Sequence, residues 1–159
     1  MTSTIVVCAD GSPLALRAAT EGIAILRPAE RIVVVTVVDA DATLMADGSG
    51  HAGATLTAPQ FEQLRTAEYE RAQTTIDTTV RTLGENTAVG QIIEGAVGPR
   101  LCGFARDVDA RALVLGSRGR GGIKRAFLGS VSDYVVRNAP CPVVVIGSVS
   151  VSGDLPLRS

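Results

Sequence analysis

The stretch Ile32–Val38 reads IVVVTVV, a run of β-branched residues with almost no alternation of apolar and polar side chains. A strand of a parallel sheet has this pattern when helices cover both faces of the sheet, because a side chain is then buried whichever way it points. The run therefore predicts a strand in the centre of a parallel sheet.

Strand-like and helix-like segments alternate on both sides of this run, as in proteins built from βαβ units. Four other short apolar runs are predicted to be strands: Ile5–Ala9, Val89–Glu94, Ala112–Leu115 and Val143–Ile146. Helices are predicted between the strands, over about 13–26, 58–83, 99–108 and 130–138. We expect an α/β protein with a five-stranded parallel sheet.

Several predicted helices begin with capping signals. Ser12 can cap the first helix, and Pro13 suits its first turn because the missing N–H is not needed there. Two pairs of residues have the spacing of capping boxes, in which side chains satisfy backbone groups at a helix start: Thr57 with Gln60, and Ser130 with Asp133.

The composition fits one folded domain. The chain has 159 residues, of which 46% are hydrophobic and 19% charged, and domains usually have about 100–200 residues. We expect a single domain over residues 1–147 and a loosely ordered tail over residues 148–159. The segment between Ala40 and Thr57, rich in small and polar residues, is expected to be a long loop.

Composition also argues against several classes of partner. The net charge is −1 and aromatic residues make up 3% of the chain, which disfavours nucleic-acid binding. The apolar runs are shorter than the roughly eighteen residues of a membrane-spanning helix, and the first residues carry no basic segment, so we expect a cytoplasmic protein. The three cysteines lack the spacing of a metal site or a disulfide framework, so we expect free thiols.

A glycine-rich loop follows the fourth predicted strand. Residues Gly116–Gly122 read GSRGRGG and lie between a strand and a helix, where parallel α/β sheets bind their ligands. Glycines allow positive φ angles and close approach of the backbone, so successive N–H groups can surround an anion. The start of the helix near Ser130 supplies further N–H donors. The loop therefore predicts a phosphate site.

Two well-known phosphate motifs do not fit this loop. The motif G-x-x-x-x-G-K-[S/T] fails because the only lysine, Lys124, follows Ile123. The motif G-x-G-x-x-G fails because Lys124 occupies its last position when the motif starts at Gly119. Neither a P-loop nucleotide hydrolase nor a standard Rossmann dehydrogenase is indicated.

The spacing Gly116-x-x-Gly119, then nine residues, then Gly129-Ser130 resembles the nucleotide-binding branch of the universal stress protein family. The resemblance extends over most of the chain, with Asp10-Gly11-Ser12 after the first strand, Thr36-Val37-Val38-Asp39 at the end of the second and Gly95 after the third. It implies a Rossmann-like fold with strand order 3-2-1-4-5 and helices on both faces, usually dimeric. It also implies an ATP site, with Mg²⁺ accompanying the nucleotide.

Carried over to this chain, the resemblance assigns roles to individual residues. Asp10 is expected to lie by the ribose and any Mg²⁺, and the backbone of Val37 is expected to contact the adenine edge. Gly116 and Gly119 would let the loop close over the phosphates. The phosphate chain would meet backbone N–H groups at the helix start and the Ser130 hydroxyl. The remaining residues assigned to the site are Leu115, Ser117, Arg118, Gly129 and Val131.

Several side chains allow a second interpretation of their role. Asp10 can simply brace the first helix start, as aspartate often does in a D-G-S turn. The basic residues of the loop can clamp phosphates or remain solvated; they are Arg118, Arg120, Lys124 and Arg125. His51 is the only histidine and is expected to be solvated. Ser130 is not read as a nucleophile, because the chain lacks a G-x-S-x-G elbow.

The functional readings fall into three classes. The first is an ATP-binding, nucleotide-responsive regulator in the stress response, acting through an unidentified protein partner. The alternatives are a slow or partner-stimulated ATPase and an interaction module that binds no nucleotide. In the implied strand order, Val143–Ile146 forms an apolar edge, and an open edge favours pairing with another chain. We therefore predict a homodimer through this strand.

Overall fold

The computed structural model describes residues 3–39, 57–84, 86, 88–119 and 128–147. Five strands in these ranges form one parallel sheet: β1 Thr4–Cys8, β2 Arg31–Val38, β3 Ala88–Glu94, β4 Ala112–Gly116 and β5 Val143–Ile146. Their order is β3-β2-β1-β4-β5, which confirms the expected topology. The run that reads IVVVTVV pairs with β1 on one side and β3 on the other, so it is an interior strand.

Four helices are described: α1 Pro13–Leu26, α2 Ala58–Leu83, α3 Val97–Asp107 and α4 Ser130–Asn138. The prediction for α3 was wrong at its start, which lies two residues before Pro99. The first helical hydrogen bond of α3 runs from Arg100 N–H to the Ala96 carbonyl. Pro99 falls inside the first turn, where the helix uses no N–H, so it is tolerated there.

Helices cover both faces of the sheet, as the sequence pattern predicted. Alternate side chains of each strand enter different clusters. Val6 and Leu113 pack in one cluster with Leu101 of α3 and Val135 of α4. The opposite cluster is built around fully buried strand residues and the inner sides of α1 and α2: Ile5, Val7, Val34, Val114, Ala18, Ala19, Ile23 and Ile76. Strand β1 is therefore buried on both faces.

The helix starts agree with two of the three capping predictions. Ser12 Oγ accepts a hydrogen bond from Ala15 N–H at 3.1 Å, and Gln60 Oε1 accepts one from Thr57 N–H at 2.9 Å. These contacts satisfy backbone donors that have no partner within the helix.

The predicted capping box of Ser130 with Asp133 is wrong. The residue that precedes α4 is Gly129, whose carbonyl accepts from Asp133 N–H at 2.9 Å. Ser130 is thus the first helical residue. The Asp133 carboxylate instead pairs with Arg137 one turn further on, at 3.0 Å, a favourable spacing on a helix surface.

Arg111 closes the C-terminal end of α1. Its guanidinium donates to Ser3 Oγ at 2.9 Å and to the Pro28 carbonyl at 2.7 Å. It also donates to the carbonyl of Leu26, the last residue of α1. Carbonyls at a helix end lack partners within the helix, so Arg111 supplies donors that the helix cannot.

We expect Arg111→Ala to lower the free energy of unfolding by about 1 kcal/mol, because three partly exposed hydrogen bonds are lost together. Urea unfolding measures the change. Arg137→Ala is the matched control, since it removes an exposed arginine whose partner within the described ranges is Asp133; such pairs contribute roughly 0.3–0.5 kcal/mol. Equal losses in both variants would contradict the role given to Arg111.

Some sequence predictions concern other parts of the chain. The expected tail over residues 148–159 and the segment 40–56 lie outside the described residues, as do His51, Arg120, Lys124 and Arg125. Strand β5 lies at the edge of the sheet, and its pairing with a second copy of the chain stays a prediction. No helix in the described ranges is long and apolar enough to cross a membrane.

Candidate functional site

A cavity of about 520 Å³ lies at the carboxyl ends of β1, β2 and β4, against the starts of α3 and α4. This volume is within the usual range of small-molecule sites, about 300–1,000 Å³. The structure brings nine of the ten predicted site residues together in its lining: Asp10, Val37, Leu115, Gly116, Arg118, Gly119, Gly129, Ser130 and Val131. The tenth, Ser117, is not part of the lining.

One side of the cavity is apolar. Val35 and Val37 of β2 contribute to it, together with Val97 and Leu101 of α3 and Leu115 of β4. These side chains also pack against the core cluster between the sheet, α3 and α4, which holds them in place. This side of the cavity can bury a flat apolar group.

Sequence reasoning missed the wall that α3 contributes. Val97 and Leu101 lie four residues apart and so share one side of the helix. The prediction began this helix at Pro99, which left Val97 outside it. The signal was the apolar pair at helical spacing that begins two residues after Gly95, next to the strand end at the predicted ligand edge of the sheet.

The cavity lining also carries backbone donors. The first hydrogen bond within α4 runs from Asp133 N–H to the Gly129 carbonyl. The N–H groups of Ser130, Val131 and Ser132 precede this bond, so they point out of the helix end, and all three residues line the cavity. Donors at a helix N-terminus, aided by the helix dipole, favour an anion such as phosphate.

The backbone after β1 is fixed by its neighbours in the sheet. Ala9 N–H donates to the Val35 carbonyl at 2.9 Å. The buried Thr36 hydroxyl donates back to the Ala9 carbonyl at 3.0 Å. The backbone N–H and carbonyl of Ala9 are thus both hydrogen-bonded. This holds the backbone in place directly before Asp10, at the cavity edge.

Asp10 connects the start of α1 to the glycine loop. Its Oδ1 accepts from Ser12 N–H at 2.8 Å, which is the bracing role that the sequence left open. Its Oδ2 faces Gly119, because a Cβ atom placed on Gly119 would lie 2.8 Å from it. Asp10 therefore braces the helix start and also borders the cavity.

Gly116 and Gly119, the described glycines of the loop, serve close approach rather than unusual backbone angles. At Gly116 a Cβ atom would lie 3.2 Å from Leu14 Cγ and 3.3 Å from the Arg118 carbonyl oxygen. Neither Gly116, Gly119 nor Gly129 has a positive φ, so the prediction of positive φ angles was wrong for these three glycines, while Gly121 and Gly122 lie outside the described residues. The backbone comes near Leu14 and Asp10, and a Cβ atom at Gly116 or Gly119 would force its neighbour to shift.

Ser117 connects the elements that surround the site. Its N–H donates to the Ile146 carbonyl at 2.8 Å, and its own carbonyl accepts from Gly129 N–H at 2.7 Å. The residue is buried, so it joins the end of β5 to the start of α4 without facing the cavity. In the described structure Ser117 supports the start of α4, and its assignment to ligand contact stays a prediction.

Cys8 lines the cavity, as do the apolar residues and Asp10. Burial raises the pKa of its thiol well above the ordinary value, and the nearby Asp10 carboxylate adds to the increase, followed by Cys102 and Cys141. The thiol is therefore neutral at physiological pH and adds no negative charge that would repel a phosphate. All three cysteines are free thiols, as predicted.

The family of the chain follows from comparison with known proteins. The model of the universal stress protein family matches residues 1–147. The chain belongs to this family. It is 30% identical over 148 residues to the universal stress protein MJ0531 of Methanocaldococcus jannaschii, covering 89% of this chain and 80% of that relative. Universal stress protein UspA from Lactobacillus plantarum is similar in structure, with a TM-score of 0.73, 25% identity, and coverage of 91% and 97% of the two chains.

Three structural neighbours of this universal stress protein are described with an adenine nucleotide. One is a universal stress protein in complex with cAMP, with 23% identity, a TM-score of 0.60, and coverage of 92% of this chain and 97% of that one. An Arabidopsis thaliana family member with AMP bound has 17% identity, a TM-score of 0.60 and 93% coverage of both chains. A universal stress protein from Archaeoglobus fulgidus in complex with dAMP has 21% identity, a TM-score of 0.56, and coverage of 91% and 97%.

Proposed function

We propose that this universal stress protein binds ATP, accompanied by Mg²⁺, in the cavity at the carboxyl ends of its strands, and acts as a nucleotide-responsive regulator in the stress response. The observation that carries the proposal is that apolar side chains and a set of backbone N–H donors line one cavity of about 520 Å³. A nucleotide has matching parts, a flat base and an anionic chain.

The apolar side suits the adenine base. Val37 and Val97 approach from a strand and a helix, and Leu101 and Leu115 extend the same surface. A base buried there removes apolar area from water, which contributes about 25 cal/mol per Å². The backbone of Val37, at the end of β2, is the group that we expect to contact the polar edge of the base.

The polar side suits the phosphate chain. Ser130 and Val131 present backbone N–H groups at the start of α4, and the exposed Ser130 hydroxyl adds a further donor. Gly116 and Gly119 allow the opposite backbone to come close to the ligand. Three related folds hold adenine nucleotides, which supports the same ligand class here.

Asp10 fits a magnesium ion that arrives with the nucleotide. Mg²⁺ prefers oxygen ligands and is usually held by one or two carboxylates together with phosphates and water. Asp10 lines the cavity, and its Oδ2 faces the loop. When bound, the ion would offset the charge of the phosphates, while the carboxylate of Asp10 holds its place through Ser12 N–H.

We expect slow hydrolysis at most. Rapid phosphoryl transfer needs a group that orients the attacking water. Among the described residues that line the cavity, Asp10 is the only one with a carboxylate, and none is histidine, glutamate or glutamine. The nucleotide-bound state is therefore expected to persist. A partner that binds this state more tightly than the free protein would respond to the presence of nucleotide.

The test is thermal unfolding of nucleotide-stripped protein with Mg·ATP, with ATP and a chelator, and without ligand, beside an assay of phosphate release. Ligand at 100 times its dissociation constant is expected to stabilise the fold by about 2.7 kcal/mol, with a smaller effect when the metal is removed and negligible release of phosphate. Absence of any shift at millimolar ATP would favour the interaction module instead. Sustained phosphate release would favour the ATPase.

A further inference from the structure

We infer that Ser132 is a positioning residue for the phosphate chain: its hydroxyl holds the first turn of α4 against the base of the glycine loop and so fixes the donors of Ser130 and Val131. This inference rests on the proposed function and deepens it. The sequence reasoning did not single out Ser132, although it lies two residues after Ser130.

The hydroxyl of Ser132 lies between two carbonyl groups. Ser132 Oγ is 2.7 Å from the Ser117 carbonyl oxygen and 3.0 Å from that of Gly129. A serine hydroxyl carries one hydrogen, and the shorter distance assigns it to Ser117. The residue is 2% exposed, so water does not compete strongly for this bond.

The contact with Ser117 is the informative one. A bond from serine to the carbonyl three residues earlier is common at helix starts and leaves the helix free to move as a unit. The bond to Ser117 joins residues fifteen positions apart in the sequence. It therefore fixes the helix start relative to another part of the molecule.

Ser117 is itself held by the sheet. Its N–H donates to the Ile146 carbonyl at 2.8 Å, and its carbonyl accepts from Gly129 N–H at 2.7 Å as well as from Ser132. The Ser117 carbonyl thus receives two donors from the start of α4, which uses both of its lone pairs. Two bonds to one oxygen restrict the pivoting of the helix start that a single bond would allow.

The consequence falls on one side of the cavity. Without the hydroxyl, the bond from Gly129 N–H remains, so we expect the protein to fold. The donors of Ser130 and Val131 lose part of their preorganisation, and the phosphate chain binds less tightly. The Ser132 hydroxyl bonds to the carbonyls of Ser117 and Gly129, whereas Val97 and Leu101 of the apolar wall lie on α3. We therefore expect the base site to stay intact.

The experiment compares Mg·ATP with adenosine, which lacks phosphate, on wild type and Ser132→Ala. Calorimetry measures the binding of Mg·ATP, and NMR titration measures the binding of adenosine. We expect Ser132→Ala to weaken the binding of Mg·ATP about tenfold, which corresponds to the loss of roughly one hydrogen bond. The affinity for adenosine is expected to stay within about twofold of the wild-type value, a change too small to indicate a lost contact. Ser132→Thr, which keeps the hydroxyl, is expected to restore most of the ratio between the two affinities.

Val135→Ala controls for loss of stability. Val135 lies on the same helix, is fully buried in the core and does not line the cavity. We expect this variant to melt at a lower temperature and to keep the wild-type ratio of affinities. A purely structural role of Ser132 would make Ser132→Ala behave in the same way.

The outcomes separate the two proposals. If wild type binds Mg·ATP and Ser132→Ala has the same ratio of Mg·ATP affinity to adenosine affinity as wild type, the positioning role alone is overturned. An equal loss of both ligands in Ser132→Ala overturns it as well, since the effect is then not confined to the phosphates. Wild type that binds neither ligand overturns the proposed function, and this inference with it.

Discussion

Replacing Gly119 with aspartate is expected to abolish the stabilisation that Mg·ATP gives to the wild-type protein. A Cβ atom at this position would lie 2.8 Å from Asp10 Oδ2, so any side chain must displace the loop or the carboxylate. Aspartate also brings a second negative charge to a place where phosphates are expected, and like charges at short range repel. The melting shift of roughly 5–10 °C that corresponds to about 2.7 kcal/mol is expected to vanish.

The matched control is Gly103→Asp on α3. It makes the same chemical change where a Cβ atom has no neighbour within 4 Å, and we expect it to keep the response to Mg·ATP. Because Gly119 is exposed, the Gly119→Asp variant is expected to fold, which far-UV circular dichroism checks. A folded Gly119→Asp protein with the full wild-type shift would place the nucleotide elsewhere.

Gly22→Ala is expected to lower the free energy of unfolding by about 2 kcal/mol, although alanine is a better helix former than glycine. Gly22 lies on the buried side of α1, and a Cβ atom there would be 2.3 Å from Val114 Cγ1, a distance that real atoms do not tolerate. Val114 is fully buried in β4, so it has no room to move away. Urea unfolding of wild type and variant measures the loss, which corresponds to roughly 4–8 °C in melting temperature.

Two further variants isolate the cause of this loss. Gly103→Ala places the same methyl group on a helix in open space, so we expect it to stabilise the protein by about 0.4–1 kcal/mol. Val114→Ala removes both Cγ atoms, so in that background we expect Gly22→Ala to lower the free energy of unfolding only slightly. A double-mutant cycle measures this difference as a coupling energy between the two positions. Independent, additive effects at positions 22 and 114 would contradict the steric explanation.

The architecture could be predicted from the sequence because its signals are local. The run of β-branched residues in β2 and the regular alternation with helical segments require both faces of the sheet to be covered, and the two core clusters confirm it. The errors lie at helix starts. α3 begins before Pro99 because proline is tolerated throughout the first turn, and α4 begins at Ser130 because extended Gly129 precedes it.

The candidate site was predictable in part. The residues of the glycine spacing, Gly116, Gly119, Gly129 and Ser130, come together in the cavity lining, as does Asp10 from the first strand. The glycine spacing and the position of Asp10 after a strand are features of the chain itself. The apolar wall, the support by Ser117 and the hydroxyl of Ser132 involve partners far away in the sequence.

The sequence by itself determined the fold class, the strand order that its family resemblance implied, and the edge of the sheet at which the candidate site lies. Repeating patterns specify periodicity and burial, and these depend on near neighbours along the chain. Only the tertiary structure decided why Gly119 and Gly22 must be glycine, where Arg111 donates, and that Ser132 reaches Ser117. Such contacts depend on distances between atoms of different elements, which exist only once β1, β4 and the helices around them have packed together.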